Sequence, residues 1–212
     1  SRRQRQMCIR DRHRTVAALM GGGPESGLHR YEDGGETWTK LKSGLPGSNM
    51  GKIGMALSPQ KPDVIYAAKP SCGGSYVYRT IDGGNNWTVI NNRVSNTGNH
   101  RPLIALTPDN PDVIYALYSA SDYGFHGLYK SSDAGDNWVN ISGSNLPGLP
   151  VNCIIYQGGA NDDLYIGTDI GVYHKDNTMS DWAPYMVGLP NVIIKELEIH
   201  YDAGTILSLI HI

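Results

Sequence analysis

Two polar segments of this sequence, residues 91–101 and 119–126, carry side chains whose types could bind or transform a ligand. Together they offer guanidinium, imidazole, carboxylate and aromatic groups. The candidate ligand-binding residues are Arg93, His100, Arg101, Asp122, Tyr123 and His126. Polar groups beside an aromatic ring suit a sugar or a peptide. The competing interpretation is that both segments are solvated loops whose aromatic residues fold over neighbouring strands.

A catalytic set is not visible among these groups. A glycosidase needs two carboxyl groups roughly 5 to 10 Å apart, and the obvious candidates in polar segments are Glu25 and Asp122, which lie in different parts of the chain. The seven histidines show neither an HExxH motif nor another ligand spacing. We therefore leave the catalytic residues unassigned and expect no metal site and no cofactor.

A second set of carboxylates recurs at regular intervals, and a tryptophan follows each of them. In three copies a glycine stands two residues after the aspartate and the tryptophan five residues after it. These copies are Asp33, Gly35 and Trp38; Asp82, Gly84 and Trp87; and Asp133, Gly135 and Trp138. A looser fourth copy keeps Asp176 and Trp182, with one extra residue between them. We call the four segments 33–38, 82–87, 133–138 and 176–182 the tryptophan corners.

The residue types of the corners predict a structural role. The aspartate can accept hydrogen bonds from N–H groups of its own turn, and the glycine allows a positive φ. The tryptophan can then lie against a neighbouring sheet. The functional alternative is a catalytic or calcium-binding aspartate. Calcium takes six to eight oxygen ligands, and one aspartate per repeat cannot supply them.

The interval between the corners predicts the fold. Asp33 and Asp82 are 49 residues apart, and Asp82 and Asp133 are 51 apart. Residues 58–68 also reappear as residues 107–117. A repeat of about 50 residues built from short β-like segments indicates a stacked array such as a propeller. We predict an all-β fold, a partial β-propeller with about 3.5 four-stranded antiparallel blades of a larger ring.

The predicted blades follow the repeat. They cover about 13–43, 50–92, 101–143 and 151–187, with the start of another at 191–206; the first is expected to lack its first strand. The corners then lie between the third and fourth strands of each blade. The opposite face receives the long loops 21–27, 69–75, 91–101 and 119–126, with 142–150 as a further link, and loops on a rigid scaffold commonly carry function.

This pattern resembles the Asp-box (BNR) repeat of sialidases, xyloglucanase-type glycoside hydrolases, sortilin-like domains and secreted bacterial propellers. The resemblance covers most of residues 13 to 206, with Tyr31 standing where that family has Ser or Thr. It implies that the boxes lie away from the catalytic face. The arginine cluster of sialidases does not map onto the arginines of this chain at positions Arg30, Arg79, Arg93 or Arg101.

The two ends of the chain, residues 1–12 and 207–212, have a feature of their own. Residues 7–12 and 207–212 can be encoded by inverted copies of one DNA sequence, as expected for translated adapter DNA flanking a library insert. We therefore interpret both ends as artefacts and residues 13–206 as the propeller fragment. The alternative is a basic N-terminal arm that binds nucleic acid or a membrane surface.

Composition limits the partners. Without residues 1–12, the 18 basic and 20 acidic residues become 13 and 19, a net charge of −6, which argues against a nucleic-acid partner. No segment approaches the roughly 18 apolar residues of a membrane span. Outside the ends, Cys72 and Cys153 remain; they could pair in a secreted protein, but we favour two independent thiols. The remaining blades of the same propeller are the expected partner.

These observations lead to three functional hypotheses. The first is a repeat module of an exported bacterial propeller protein, secreted or at the cell surface, that binds a glycan or a protein. The second is a portion of a xyloglucanase-like glycoside hydrolase. The third, also based on the resemblance, is an assembly factor of the photosystem-stability type. Which of these hypotheses holds depends on the side chains of the long loops opposite the tryptophan corners.

Overall fold

The computed structural model describes residues 5–10, 14–19, 23–33, 35–47, 50–51, 53–58, 60–69, 75–91, 94, 102–120, 124–146, 148, 150–159, 161–200 and 205–210. Within this part of the chain every regular element is a β-strand. Accordingly, no described helix is long and apolar enough to cross a membrane. The prediction of an all-β fold is confirmed.

The strands form four sheets of four strands and one pair, each antiparallel and each built from consecutive strands. The first sheet contains β1 (Arg5–Arg10), β2 (Arg14–Leu19), β3 (Gly27–Tyr31) and β4 (Thr39–Lys40). The second contains β5 (Gly54–Leu57), β6 (Ile65–Lys69), β7 (Tyr76–Thr80) and β8 (Thr88–Val89). The third contains β9 (Pro102–Leu106), β10 (Ile114–Ser119), β11 (Phe125–Ser131) and β12 (Val139–Asn140).

The fourth sheet and the final pair complete the described chain. The fourth sheet contains β13 (Val151–Gln157), β14 (Asp163–Thr168), β15 (Gly171–Lys175) and β16 (Ala183–Pro184). The pair consists of β17 (Ile194–His200) and β18 (Thr205–Ile210). The first strands β5, β9, β13 and β17 contact one another in that order. The sheets therefore stand side by side with their first strands innermost, as in part of a propeller.

Alternation along the middle strands explains how each sheet is held between two neighbours. Successive side chains of a strand point to opposite faces. On β10, Tyr115 and Leu117 belong to the buried cluster shared with the fourth sheet, while Ile114, Ala116 and Tyr118 belong to the cluster shared with the second. Both faces are apolar, so the strand reads as a continuous apolar segment.

The first sheet differs from the sequence prediction. It has four strands where we expected three, because β1 pairs with β2 over its whole length. The fourth strand of each four-stranded sheet has two residues, because the corner turn occupies the residues before the tryptophan. β1 and the last four residues of β18 come from the ends that we interpreted as adapter-derived; that interpretation stays a prediction.

Candidate functional site

The aspartates of the second and third corners accept the same set of hydrogen bonds. The Oδ1 atom of Asp82 accepts from the backbone N–H of Asn86 at 2.9 Å, and Oδ2 accepts from the Asn86 side chain at 2.8 Å. Asp133 accepts from the backbone and side chain of Asn137 at 2.8 and 2.7 Å. Each carboxylate also accepts from a hydroxyl two residues earlier, that of Thr80 or Ser131.

The first and fourth corners are variants of this arrangement. Asp33 accepts from the backbone N–H of Thr37 at 2.9 Å and from the Thr37 hydroxyl. Asp176 accepts instead from Thr178, through its backbone N–H at 2.8 Å and its hydroxyl at 2.7 Å. The fourth corner adds a second carboxylate, Asp181, whose oxygens accept from the backbone and hydroxyl of Ser144 in the preceding link.

These hydrogen bonds decide what the corner carboxylates can do. The backbone and side-chain N–H groups of Asn86, with the Thr80 hydroxyl, lower the pKa of Asp82 to about 2. The Asn137 side chain and backbone and the Ser131 hydroxyl do the same for Asp133. A general acid works best with a pKa near the working pH. These aspartates are therefore ionised acceptors that hold a turn, and they suit neither proton transfer nor calcium.

The corner glycines have the conformation that their spacing suggested. The φ angles of Gly35, Gly84 and Gly135 are 98°, 97° and 98°. A Cβ atom at Gly84 would lie 3.0 Å from the Leu41 side chain of the first sheet. At Gly135 it would overlap the side chain of Ile90. Glycine is thus required both by backbone conformation and by the close approach of the preceding sheet.

Three of the four tryptophans reach the preceding sheet or link. The indole Nε1–H of Trp138 donates to the Ile90 carbonyl at 2.8 Å, and that of Trp182 donates to the Ser142 carbonyl at 3.0 Å. Trp87 is 3% exposed and packs in the cluster shared with the first sheet. Trp38 is 40% exposed and lies edge-on to Tyr31. The corners of the second, third and fourth sheets therefore join each of these sheets to the one before it.

A repeated cation on the third strand joins each of the first three sheets to the sheet after it, and sequence reasoning missed it. Three residues before the corner aspartate, Arg30 donates to the Gly83 carbonyl at 2.9 Å and Arg79 to the Ala134 carbonyl at 2.7 Å. At the same position of the third sheet, Lys130 lies 3.6 Å from Asp162. The signal was present in the sequence as a basic residue at a constant distance from Asp33, Asp82 and Asp133.

The predicted ligand-binding residues fall mostly outside the described part of the chain. This holds for Arg93, His100, Arg101, Asp122 and Tyr123. His126 is described, and it is an exposed residue of β11. Glu25, the other carboxyl that we considered, is exposed in the turn before β3. The separation between Glu25 and Asp122 is therefore not defined by the described residues.

The ends of three long loops meet in a buried group of residues that we call the loop junction: Ser75, Asn91, Val94, Tyr118 and Ser119. The Asn91 side chain donates to the Ser75 carbonyl at 2.7 Å and accepts from the backbone N–H of Val77 at 3.1 Å. The backbone N–H of Val94 donates to the Asn91 carbonyl at 3.1 Å. Val94 and Tyr118 share one apolar cluster.

The loop junction places the bases of segments 69–75, 91–101 and 119–126 side by side. The five junction residues are at most 3% exposed, so this base is a fixed part of the core. Segment 119–126 is closed at its base by the backbone hydrogen bond from Ala120 to the Gly124 carbonyl, at 2.7 Å. All three segments connect strand ends on the side of the sheets opposite the tryptophan corners.

A second concave surface runs along the innermost strands. This cavity of about 380 Å³ is lined by residues of β5, β9, β13 and β17, among them Asn152, Cys153 and Glu196. Cys153 is unpaired, and burial raises the pKa of its thiol to about 11. It is therefore an unreactive thiol at neutral pH. Cys72 lies outside the described residues.

Comparison with known proteins supports the propeller fold but does not assign the chain to a protein family. No protein-family model and no curated protein matches the chain. Among solved structures, the GH74 enzyme of Niastella koreensis superposes with a TM-score of 0.71 and 16% identity, covering 93% of this chain and 31% of that one. The GH74 xyloglucanase of Xanthomonas campestris superposes with a TM-score of 0.57 and 20% identity. This alignment covers 82% of this chain and 28% of the xyloglucanase.

A third solved structure is a peptide complex. YCF48 bound to a D1 peptide superposes with a TM-score of 0.56 and 15% identity, covering 95% of this chain and 59% of that one. The chain thus spans less than two thirds of each of these three proteins. Their similarity to it is one of fold.

Proposed function

We propose that this chain is a repeat module of an exported bacterial β-propeller protein that binds a glycan or a protein at the cell surface. The observation that carries the proposal is the loop junction, which brings the bases of three long polar loops together on the side opposite the corners. Loops that emerge from one buried base can present their side chains to one ligand.

The chemistry of these loops suits binding through hydrogen bonds and stacking. Arg93, His100 and Arg101 supply donors from one segment, and Asp122, Tyr123 and His126 supply an acceptor, an aromatic ring and an imidazole from another. Sugar hydroxyls and peptide groups need such convergent polar groups beside an aromatic surface. The carboxylates of Asp82 and Asp133 already accept hydrogen bonds on both oxygens from their own turns, so the loop side is better suited to bind a glycan or a protein.

Binding by the full chain tests the proposal. The probes are insoluble polysaccharides, including xyloglucan immobilised on cellulose, and an array of immobilised peptides. We expect retention on a member of one class, and loss of that retention in both Arg93→Ala and Asp122→Ala. Glu36→Ala, which alters an exposed carboxyl in the first corner, is the matched control and should bind as the unmodified chain does. Retention that survives both loop changes would contradict the proposal.

The alternative, a portion of a glycoside hydrolase, is favoured by the similarity to GH74 enzymes. The same assay distinguishes it from a binding module. A xyloglucanase-like activity would release soluble oligosaccharide, and Asp122→Ala would abolish that release. Retention without any release favours the binding module. Retention on the peptide array alone would identify a protein rather than a glycan as the ligand, in keeping with the peptide-bound structure among the neighbours.

A further inference from the structure

Three side chains of the fourth sheet form a cluster that has no counterpart among the described residues of the other sheets. Asp163 begins β14, His174 lies on β15, and Asp176 opens the fourth corner. One possible ligand atom from each of them lies within 4.8 Å of the other two. The shortest separation is 2.6 Å, from His174 Nε2 to Asp163 Oδ1. All three residues are half-buried.

The strand registers identify the equivalent positions in the other sheets. Tyr66 pairs with Arg79, Tyr115 with Lys130, and Tyr165 with His174. His174 therefore stands where the preceding sheets have the cation that reaches the next sheet. The position two residues before each of these tyrosines also differs. It holds Val64 in the second sheet and Val113 in the third, but Asp163 in the fourth.

The third member of the cluster also differs from its equivalents. Two residues after the cation position, the fourth sheet has Asp176 where the second and third have Ile81 and Ser132. Relative to the second and third sheets, three positions thus change together, from valine, cation and an uncharged residue to aspartate, histidine and aspartate. The first sheet has Glu32 at the third position, where it pairs with Arg30 at 3.1 Å. His174 also turns to Asp163 of its own sheet, whereas Arg79 and Lys130 extend to the next one.

We propose that Asp163, His174 and Asp176 bind a divalent transition-metal ion, with Zn²⁺ as the best match. One imidazole and two carboxylates are a mixed nitrogen and oxygen donor set that suits zinc better than calcium, which takes oxygen ligands alone. Ligand atoms around a zinc ion with bonds of about 2.0 to 2.2 Å stand roughly 3.3 Å apart. The observed separations, from 2.6 Å to at most 4.8 Å, lie on both sides of this value.

The surroundings of the cluster hold the ligands in place. The imidazole of His174 lies against the rings of Tyr165 and Tyr185, with centroids 4.8 and 5.8 Å away. The hydrogen bonds that Asp176 accepts, from Thr178 and Met179, fall on Oδ1, which leaves Oδ2 for an ion. Such outer contacts orient metal ligands. Three protein ligands also leave a position for water or an oxygen atom of a ligand.

Calorimetric titration of the chelator-treated full chain with Zn²⁺ tests the proposal. We expect one ion per chain, much weaker binding of Ca²⁺, and visible absorption bands on Co²⁺ substitution. His174→Gln and Asp163→Asn keep the size and hydrogen-bonding capacity of each side chain but should each weaken Zn²⁺ binding by roughly tenfold or more. Circular dichroism in the presence of chelator checks that both variants are folded, and Asp176→Asn replaces either one that is not.

His200→Gln is the matched control, because His200 is an exposed histidine at the end of β17 and lies outside the cluster. It should leave the affinity for Zn²⁺ unchanged. The proposal is overturned if the unmodified chain takes up no Zn²⁺. It is equally overturned if folded variants of the cluster bind as tightly as the unmodified chain does, or if the binding depends on His200.

Discussion

At the scale of single residues, the corner aspartates work as ionised acceptors, which makes the stability of the fold depend on pH. The pKa values of Asp82 and Asp133, about 2, lie below the ordinary value of 3.8. The unfolded chain therefore binds more protons than the folded chain as the pH falls. The stabilisation is present above the ordinary pKa and is lost as the pH falls from about 5 to about 2.

The first prediction follows from this dependence. Asp133→Asn removes one of the low-pKa carboxylates, so the midpoint of thermal unfolding should fall less steeply between pH 5 and pH 2 than in the unmodified chain. Circular dichroism melts across that range measure it. Glu36→Gln, an exposed carboxyl of the first corner, should leave the profile unchanged. Identical slopes for Asp133→Asn and the unmodified chain would show that the carboxylate is not held in its turn.

The second prediction concerns the corner glycines. Gly135→Ala should lower the free energy of unfolding by about 2 kcal/mol, because alanine is strained at φ 98° and its methyl group overlaps Ile90. Gly148→Ala is the control, since a Cβ at that position meets no atom within 4 Å, and it should change stability by less than about 0.5 kcal/mol. Urea titration compares the two. Equal effects would contradict the assigned corner geometry.

At the scale of elements, the sheets are joined by polar contacts as well as by apolar clusters. Arg79 is held by the Ala134 carbonyl of the next sheet, with its side chain 19% exposed. The third prediction is that Arg79→Ala lowers the free energy of unfolding by about 2 kcal/mol, since a partly buried charged donor is lost and the carbonyl loses its partner.

Lys61 provides the comparison for Arg79. It also bridges the second and third sheets, pairing with Asp112 at 2.8 Å, but both side chains are about half exposed. Exposed ion pairs contribute little to stability. Lys61→Ala should therefore lower the free energy of unfolding by less than about 1 kcal/mol in the same urea titration. A larger loss from Lys61→Ala than from Arg79→Ala would reverse the assignment of which contact joins the sheets.

The sequence was informative about the corners and less so about the contacts between sheets. The interval from Asp33 to Asp82 to Asp133 indicated the sheets and the position of their turns, because each turn depends on a local pattern of aspartate, glycine and tryptophan. The Arg79 contact and the cluster at His174 could not be predicted in the same way, because they join residues on different strands or sheets. The sequence shows a basic residue three positions before Asp33, Asp82 and Asp133, but only the structure shows which carbonyl or carboxylate that residue contacts.

The candidate ligand site was predictable to a smaller extent. The polar loops could be found from their composition, but their convergence depends on buried residues such as Asn91 and Val94. The sequence gives these residues no distinguishing pattern. What the loop side chains do together depends on Arg93, His100, Arg101, Asp122 and Tyr123, which lie outside the described residues.

At the scale of the whole molecule, apolar side chains are exposed at both ends of the described row of sheets. They include Trp38 of the first corner at 40% exposure, and Tyr185 and Val187 after β16 at 54% and 107%. Ile81 and Val139 of the second and third sheets are also exposed, at 69% and 65%. Val187 and Tyr185 in addition line an apolar cavity of about 460 Å³ beside the final strand pair, and such an open apolar face fits the remaining blades of a larger ring.

The fourth prediction is that residues 13–206, expressed alone, self-associate or are partly molten. Open sheet edges and uncovered apolar faces favour association between chains. Light scattering coupled to size-exclusion chromatography, followed by a thermal melt, measures both properties. A monomer that melts sharply would contradict the expectation and would mean that the two outer faces are stable in water.

Hydrogen exchange of the four indole N–H groups, followed by NMR, tests most directly the central claim that the corners fasten each sheet to the one before it. The N–H groups of Trp138 and Trp182 donate to the preceding sheet or link, and that of Trp87 is buried. We predict slow exchange for these three and fast exchange for Trp38. Fast exchange at all four, or greatest protection at Trp38, would contradict the account.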